Sequence, residues 1–200
     1  MNYFESINPT NGKIIKEYLA LCDDELNEIL LNTDRRFDSW KKNTVDERST
    51  YFLEIAEIID QKKNELSELL ASEMGKPIMQ GIAEIEKCVF LCRYYANNAA
   101  LFLKDDIIKT EASKSYATFQ PLGIILGIMP WNFPFWQVFR FAVPTIIAGN
   151  TILLKHAPNV LGCAKAIQQI FEESSLPNNC YNNIIISHDQ VSLLIKNELI

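Results

Sequence analysis

One amide side chain, Asn132, lies in an otherwise apolar and proline-rich stretch of the sequence, GIMPWNFPFWQVFR (127–140). Pro130 and Pro134 flank it and restrict the backbone on either side. A carboxamide in such a turn either hydrogen-bonds the backbone of its own loop or points at a ligand. The residue types alone leave both interpretations open.

Two further polar residues, Lys155 and His156, follow the apolar run TILL (151–154). Considered singly, a lysine here extends to water, and a histidine is more often a packing or surface residue than a catalyst. Asn132 follows one apolar run, and Lys155 and His156 follow the next. Because ligands of open parallel sheets bind outside the carboxyl ends of the strands, this arrangement predicts a nucleotide or cofactor site.

The elements that must position these residues alternate between short apolar runs and amphipathic segments. Strands are predicted at 123–129, 151–155 and 183–187, and helices at 134–148, 160–174 and 189–199. The first strand reads as buried on both faces, and His156 reads as the start of the loop after the second strand. The alternation predicts an α/β fold with a Rossmann-like parallel βαβαβα unit.

The preceding residues, 1–120, read as a mainly helical segment with short β-hairpins. Asn11-Gly12 predicts a hairpin turn, and Asp23 and Asp24 are candidate caps of a first helix. The remaining elements are a helix from 44–48 through Leu70, a long helix at 78–102 and an exposed strand at 114–120. The boundary is placed near residue 121, giving regions 1–120 and 121–200.

Composition excludes several classes of protein. The formal net charge of −6 and the scattered basic residues argue against a nucleic-acid partner. The uncharged stretch 115–139 is long enough to span a bilayer, but its three prolines favour a buried strand and helix over a membrane segment. Five cysteines, an odd number, and the absence of a signal peptide indicate reduced thiols and a cytoplasmic location. Two histidines are too few to suggest a metal site.

Three segments resemble the N-terminal part of the NAD(P)-dependent aldehyde dehydrogenase family, and in particular its succinate-semialdehyde dehydrogenase-like members. They are EMGKPIMQGIAEIEKC (73–88), FQPLGIILGIMPWNFPFWQVFR (119–140) and AGNTILLKHAPN (148–159). The resemblance covers essentially the whole chain. It implies a truncated aldehyde dehydrogenase fold, NAD or NADP as cofactor, a small-molecule aldehyde substrate, and a homo-oligomer in which 114–120 belongs to the oligomerisation hairpin.

The resemblance also implies roles for individual residues. Asn132 would donate its amide to the oxyanion that forms when a cysteine thiolate attacks the aldehyde. Arg140 would contact the far carboxylate of a semialdehyde, the alternative being a structural ion pair with a nearby acid. Phe133 and Trp136 would line the substrate site beside it. The implied cofactor contacts are Ile128, Met129, Pro130, Trp131, Lys155, His156, Ala157 and Pro158.

Two departures from the family pattern matter for function. Pro158 stands where many relatives have an acid, so a 2′-phosphate near Lys155 meets no repulsion and NADP should be tolerated. None of the five cysteines matches the motif of the family's nucleophile, which comes later in its pattern together with the glutamate base. We therefore expect the 200 residues alone to be inactive. The alternative is a fragment that at most binds a nucleotide or pairs within an oligomer.

Overall fold

The computed structural model describes residues 3–200; Met1 and Asn2, the first residues of the predicted N-terminal region, lie outside the described residues. The N-terminal part contains the predicted hairpin, four helices and a second, very short hairpin. In chain order these are β1 (Tyr3–Ile7), β2 (Ile14–Leu19), α1 (Asp23–Trp40), α2 (Val45–Gln61), α3 (Lys63–Met74), α4 (Ile78–Phe102), β3 (Asp106–Ile107) and β4 (Tyr116–Ala117). Both hairpins are antiparallel.

The C-terminal part is the predicted parallel unit. Its elements are β5 (Ile124–Met129), α5 (Pro134–Ile147), β6 (Thr151–His156), a 3₁₀ turn (Pro158–Val160), α6 (Leu161–Glu173), β7 (Tyr181–Asn183) and α7 (His188–Leu194). The three strands are parallel in the order β5-β6-β7. The α/β fold class with a βαβαβα unit is therefore confirmed.

Two predictions in the N-terminal part were wrong in detail. The cap of α1 is Cys22, whose backbone is extended and whose N–H donates to Glu25 at 2.7 Å, while Asp23 and Asp24 lie in the first turn. The helix predicted from 44–48 through Leu70 is two helices, broken at Lys62. Apolar spacing continues through the break, so periodicity could not reveal a change at one residue.

Two predictions about the sheet also needed correction. β5 is an edge strand among the described residues, and Ile128 is 52% exposed, so the strand is not buried on both faces. The third strand pairs at Tyr181–Asn183 and not over 183–187. Residues 184–186 are buried as expected, but beyond the bond from the Ile184 N–H to the Leu154 carbonyl they pack without continuing the ladder. Apolar runs report burial, and burial does not require strand pairing.

One hydrophobic core contains residues from both sides of the boundary predicted near 121, and that boundary stays a prediction. The indole of Trp40 donates to the Ile146 carbonyl at 2.9 Å, and the guanidinium of Arg48 donates to the Ile147 carbonyl at 2.7 Å. Both carbonyls lie in the last turn of α5, beyond the reach of its own N–H groups, and the Ile146 carbonyl also accepts the Gly149 N–H at 2.9 Å. The helices of the N-terminal part thereby fix the C-terminal end of the helix that follows Asn132.

Candidate active site

The two predicted loops meet at one edge of the sheet because β5 and β6 are parallel and in register. Ile128 pairs with Lys155 and Met129 pairs with His156. Asn132 lies three residues after the end of β5 and two residues before Pro134, the first residue of α5. The structure thus brings Asn132 and Lys155 to the carboxyl ends of neighbouring strands, where the topology predicted a ligand site.

The carboxamide of Asn132 is exposed and makes no hydrogen bond to any residue from 3 to 200. Its neighbours Trp131 and Phe133 are 52% and 45% exposed. Only the main-chain carbonyl of Asn132 is engaged, accepting from the ammonium of Lys76 at 3.1 Å. The side chain therefore does not hydrogen-bond the backbone of its own loop, which was one of the two interpretations, and it is free to donate to a ligand.

The sequence reasoning missed the pair that holds this loop, Lys76 and Glu84. Their side chains form a salt bridge and are 5% and 1% exposed. One carboxylate oxygen of Glu84 accepts the N–H groups of Phe135 and Trp136, each at 3.0 Å. The only sequence signal was indirect: Phe133, the residue before α5, has no side chain that can cap a helix.

His156 lies inside β6 and not in the following loop, which corrects its predicted place. Its ring is buried, with Nε2 donating to the Pro134 carbonyl at 2.9 Å and Nδ1 accepting the Ala157 N–H at 2.8 Å. Burial lowers the pKa of this histidine to about 4, so the ring is neutral at pH 7. Both ring nitrogens are occupied, so His156 connects β6 to the start of α5 and offers neither nitrogen to a cofactor.

Lys155 differs from His156 because its charge has no partner. It is 8% exposed, and burial lowers the pKa of its ammonium without an opposing carboxylate among residues 3–200. It lines a narrow cleft together with Pro158, Leu161 and Ile184. The cleft itself has a volume of only about 10 Å³, so a phosphate or a ribose hydroxyl pair would contact this buried cation from the mouth of the cleft.

Arg140 and Trp136 lie one helical turn apart on α5 and therefore share a face. Arg140 is exposed and forms no salt bridge within residues 3–200, so the structural ion pair considered as its alternative is not present there. Trp136 is half-buried, and the ammonium of Lys87 lies 3.9 Å from its ring centroid. Arg140 of α5 and Lys87 of α4 therefore place two cationic groups next to the face of α5 that carries Trp136.

The other predicted cofactor residues form the rim of the same edge. Ile128, Pro130, Trp131 and Pro158 are exposed, and Met129 and Ala157 are half-buried. They are accessible from the side on which the strands end. Their role as cofactor contacts stays a prediction.

Four of the five cysteines lie in the protein interior. Cys88, Cys92, Cys163 and Cys180 are buried, and burial raises the pKa of each, to about 12 for Cys180. Cys22 is exposed but caps α1 in a separate surface cavity that includes Ser187 and Gln190. A raised pKa keeps a thiol protonated and unreactive at pH 7.

Two other kinds of feature are absent from the described part of the chain. No group of three or more His, Cys, Asp or Glu side chains is arranged to hold a metal ion. No helix in residues 3–200 combines the length and apolar character needed to cross a bilayer.

Comparison with known proteins agrees with the resemblance seen in the sequence. A succinate-semialdehyde dehydrogenase from Synechocystis, described as probable and NADP(+)-dependent, is 41% identical over 195 residues, which are 98% of this chain and 43% of that protein. The Escherichia coli succinate semialdehyde dehydrogenase [NAD(P)+] Sad is 38% identical over 98% of this chain and 42% of its own length. The chain thus spans less than half the length of these curated relatives.

Comparison of the fold with solved structures agrees with the sequence comparison. The crystal structure of succinic semialdehyde dehydrogenase from Streptococcus pyogenes, in complex with NADP+, superposes with a TM-score of 0.95 and 27% identity, over 98% of this chain and 43% of that one. The sequence model of the aldehyde dehydrogenase family matches residues 1–200. The sequence match and the shared fold together establish that this chain belongs to the aldehyde dehydrogenase family.

Proposed function

We propose that this chain is the N-terminal part of an enzyme that oxidises an aldehyde, specifically succinate semialdehyde, to a carboxylic acid with NAD or NADP. The observation that carries the proposal is the carboxamide of Asn132, which is exposed and makes no hydrogen bond within residues 3–200. The backbone of its loop is bound by the buried side chains of Lys76 and Glu84. Names of relatives at 34–41% identity support the same reaction.

The chemical role of Asn132 follows from the charge that develops on the substrate. When a thiolate forms a bond to the aldehyde carbon, the carbonyl electron pair moves to oxygen and leaves it negative. An amide N–H aimed at that oxygen stabilises it, and one such donor contributes roughly 2.7–4 kcal/mol to lowering the barrier. Bound NAD or NADP would accept the hydride that leaves the same carbon.

The substrate class is supported by the two cations on α5 and α4. Arg140 lies two turns after Asn132, and Lys87 lies over Trp136 between them. A dicarboxylic semialdehyde places a carboxylate several bonds from its aldehyde, where a guanidinium can bind it through two parallel hydrogen bonds. An uncharged aldehyde would gain nothing from these groups.

The cofactor proposal rests on Lys155 and Pro158. Lys155 is a buried cation without an anion within residues 3–200, and Pro158, lining the same cleft, brings no carboxylate. A 2′-phosphate therefore meets attraction and no local repulsion, which favours NADP. The cofactor would be contacted by Lys155 and by the rim residues, which include Met129 and Trp131.

We further propose that residues 1–200 do not turn over substrate by themselves. Four of the five thiols are buried with raised pKa values, and Cys22 lies in a different cavity. A homo-oligomer is proposed through the β3–β4 hairpin, where Ile107 and Tyr116 are 74% and 46% exposed. A cytoplasmic location stays a prediction that rests on the free thiols.

Steady-state kinetics of the protein that contains this sequence test the proposal, with succinate semialdehyde and NADP as substrates. Asn132→Ala should lower kcat by about 10²–10³-fold, as expected for removing one oxyanion donor. Asn27→Ala, an exposed asparagine on α1, is the control and should leave kcat unchanged. Full activity of the Asn132 variant would show that the amide is not the oxyanion donor.

A further inference from the structure

An ion pair outside the residues assigned to substrate and cofactor supports the loop of Asn132 from the protein interior. Lys76 lies in the short connection between α3 and α4, after Gly75, and Glu84 lies in the second turn of α4. Their side chains form a salt bridge and are almost completely buried. Because burying two charges is costly, such a pair needs further hydrogen bonds to be stable, and here all of those go to the segment 132–136.

Glu84 supplies the N-terminal cap that α5 lacks in its own sequence. Phe133 makes no side-chain cap, and Pro134 has no N–H. The next two N–H groups, of Phe135 and Trp136, both donate to one oxygen of Glu84. The first turn of α5 therefore cannot rotate or shift without losing two charge-assisted hydrogen bonds.

Lys76 binds the backbone on the N-terminal side of Pro134. Its ammonium donates to the main-chain carbonyl of Asn132 at 3.1 Å and lies 3.9 Å from the ring centroid of Phe133. It thus binds the backbone of the residue whose side chain is free. Asn132 is held by its carbonyl, and its carboxamide stays available on the exposed side.

We propose that the Lys76–Glu84 pair is a positioning element for the oxyanion donor, setting the direction of the Asn132 carboxamide through the backbone on both sides of Pro134. This inference rests on the proposed function. The positioning role requires the two charges of the pair as well as the volume of its side chains. A neutral pair would fill the space but would bind the Asn132 carbonyl and the two N–H groups more weakly.

The test compares stability with turnover in the protein that contains this sequence. The double variant Lys76→Met/Glu84→Gln removes both charges and leaves no unpaired one, so its melting temperature should lie above that of either single variant. Its kcat for succinate semialdehyde should still fall by roughly 10- to 100-fold, with KM changed by less than about threefold, because misplacement of a donor costs rate more than binding. Recovery of kcat together with the melting temperature would overturn the proposal.

A control pair connects α3 directly to α4. Lys63 on α3 and Glu86 on α4 form a salt bridge at 3.2 Å, with side chains 31% and 56% exposed. The variant Lys63→Met/Glu86→Gln should leave kcat and KM unchanged, since exposed pairs contribute little and this one does not contact the loop. An equal loss of kcat in the control would mean that the link between α3 and α4, and not the contact with residues 132–136, determines the rate.

Hydrogen–deuterium exchange provides a readout that does not depend on turnover. In Glu84→Gln, a peptide covering 131–140 should exchange faster, because the Phe135 and Trp136 N–H groups lose their charged acceptor, while a peptide covering 45–61 should not change. Unchanged exchange in 131–140 would count against the proposal. If the unaltered protein does not oxidise succinate semialdehyde, the proposed function fails. If it does, and Asn132→Ala loses activity while the pair variants keep it, the positioning inference alone fails.

Discussion

Glu73 and Glu84 each accept two backbone N–H groups at the start of a helix that crosses over the parallel sheet. Glu84 binds the first turn of α5, and Glu73 binds the N–H groups of Gly162 and Cys163 in α6, both at 2.8 Å. Helix starts of this kind are where dinucleotide-binding folds commonly hold a pyrophosphate. Here the protein's own carboxylates occupy both, so a cofactor's pyrophosphate would have to be bound by other groups.

The first prediction concerns the stability that Glu73 provides. Its carboxylate is 2% exposed and also accepts the Ser6 hydroxyl at 2.5 Å, so it joins the N-terminal hairpin, α3 and α6. Glu73→Gln turns an amide NH₂ towards a backbone N–H and should reduce the free energy of unfolding by about 2 kcal/mol. Glu68→Gln, at an exposed position of the same helix, should change it by less than about 0.5 kcal/mol.

Gly162 allows an independent check of the same contact. A Cβ at this position would lie 2.6 Å from a carboxylate oxygen of Glu73, so Gly162→Ala must displace that carboxylate. The two substitutions should therefore be less than additive in the free energy of unfolding when combined. Strict additivity, measured by denaturant unfolding, would show that Glu73 does not depend on the space at Gly162.

The second prediction concerns pH and His156. Burial lowers the pKa of His156 to about 4 from an ordinary value near 6.5. Between these values the unfolded chain binds a proton that the folded chain does not, so this residue's contribution is complete above about pH 6.5 and is lost as pH falls through 4. The loss should be about 3 kcal/mol.

The change should be visible as a difference between variants. His156→Gln removes the titrating group and should flatten the decline of melting temperature between pH 7 and pH 4.5, although the variant starts lower because the bond to the Pro134 carbonyl is weakened. His188→Gln, at an exposed position, should decline as the unaltered protein does. Parallel curves for all three proteins would contradict the assignment to His156.

Local sequence features predicted much of the fold, including the long helix at 78–102 and the order of the parallel unit. Pro77 and apolar residues at helical spacing define α4 over Ile78–Phe102, as expected. Asn132 was also singled out from local features, since the flanking prolines and the apolar surroundings are visible in one short stretch, but the exposure of its carboxamide is seen only in the structure. These features depend on neighbouring residues, which a sequence displays directly.

The supporting residues could not be predicted because their partners are distant in sequence. Glu84 caps a helix that starts about fifty residues later, and Glu73 binds N–H groups 89 and 90 residues away. His156 was taken for a loop residue because its partner, the Pro134 carbonyl, lies 22 residues earlier. A polar residue on a helix or strand gives no local sign that it satisfies backbone groups of another element.

The third prediction concerns the choice between NADP and NAD. Pro158 and Lys155 line the same cleft, so Pro158→Glu would give Lys155 a carboxylate partner and repel a 2′-phosphate. The Kd for NADP should rise by about tenfold relative to the Kd for NAD, which corresponds to about 1.4 kcal/mol. Asn159→Glu adds the same charge one residue further and should have a smaller effect. A clear preference of the unaltered protein for NAD, measured as Kd, would contradict the NADP proposal.

The last prediction tests the substrate's carboxylate at Arg140. Arg140→Leu should raise KM for succinate semialdehyde by roughly 10- to 100-fold, since a hydrogen bond to a charged group contributes about 1.5–3 kcal/mol. Butanal, which has no carboxylate, should show an unchanged KM, and that contrast separates lost recognition from a damaged fold. Arg93→Leu is the matched control, because that guanidinium is exposed and pairs with Glu57 at 2.7 Å on another surface.

Lys87 distinguishes two ways in which this face could act. If Lys87 only packs over Trp136, Lys87→Met should change the KM for both aldehydes by the same factor. The apolar part of the side chain remains in that variant, and only the cation–π contact is lost. If its charge attracts the carboxylate, KM should rise for succinate semialdehyde alone, by a smaller factor than in Arg140→Leu, because a lysine lacks the bidentate geometry of an arginine. Unchanged succinate semialdehyde kinetics in both variants would contradict the proposal that a substrate carboxylate is bound at α5.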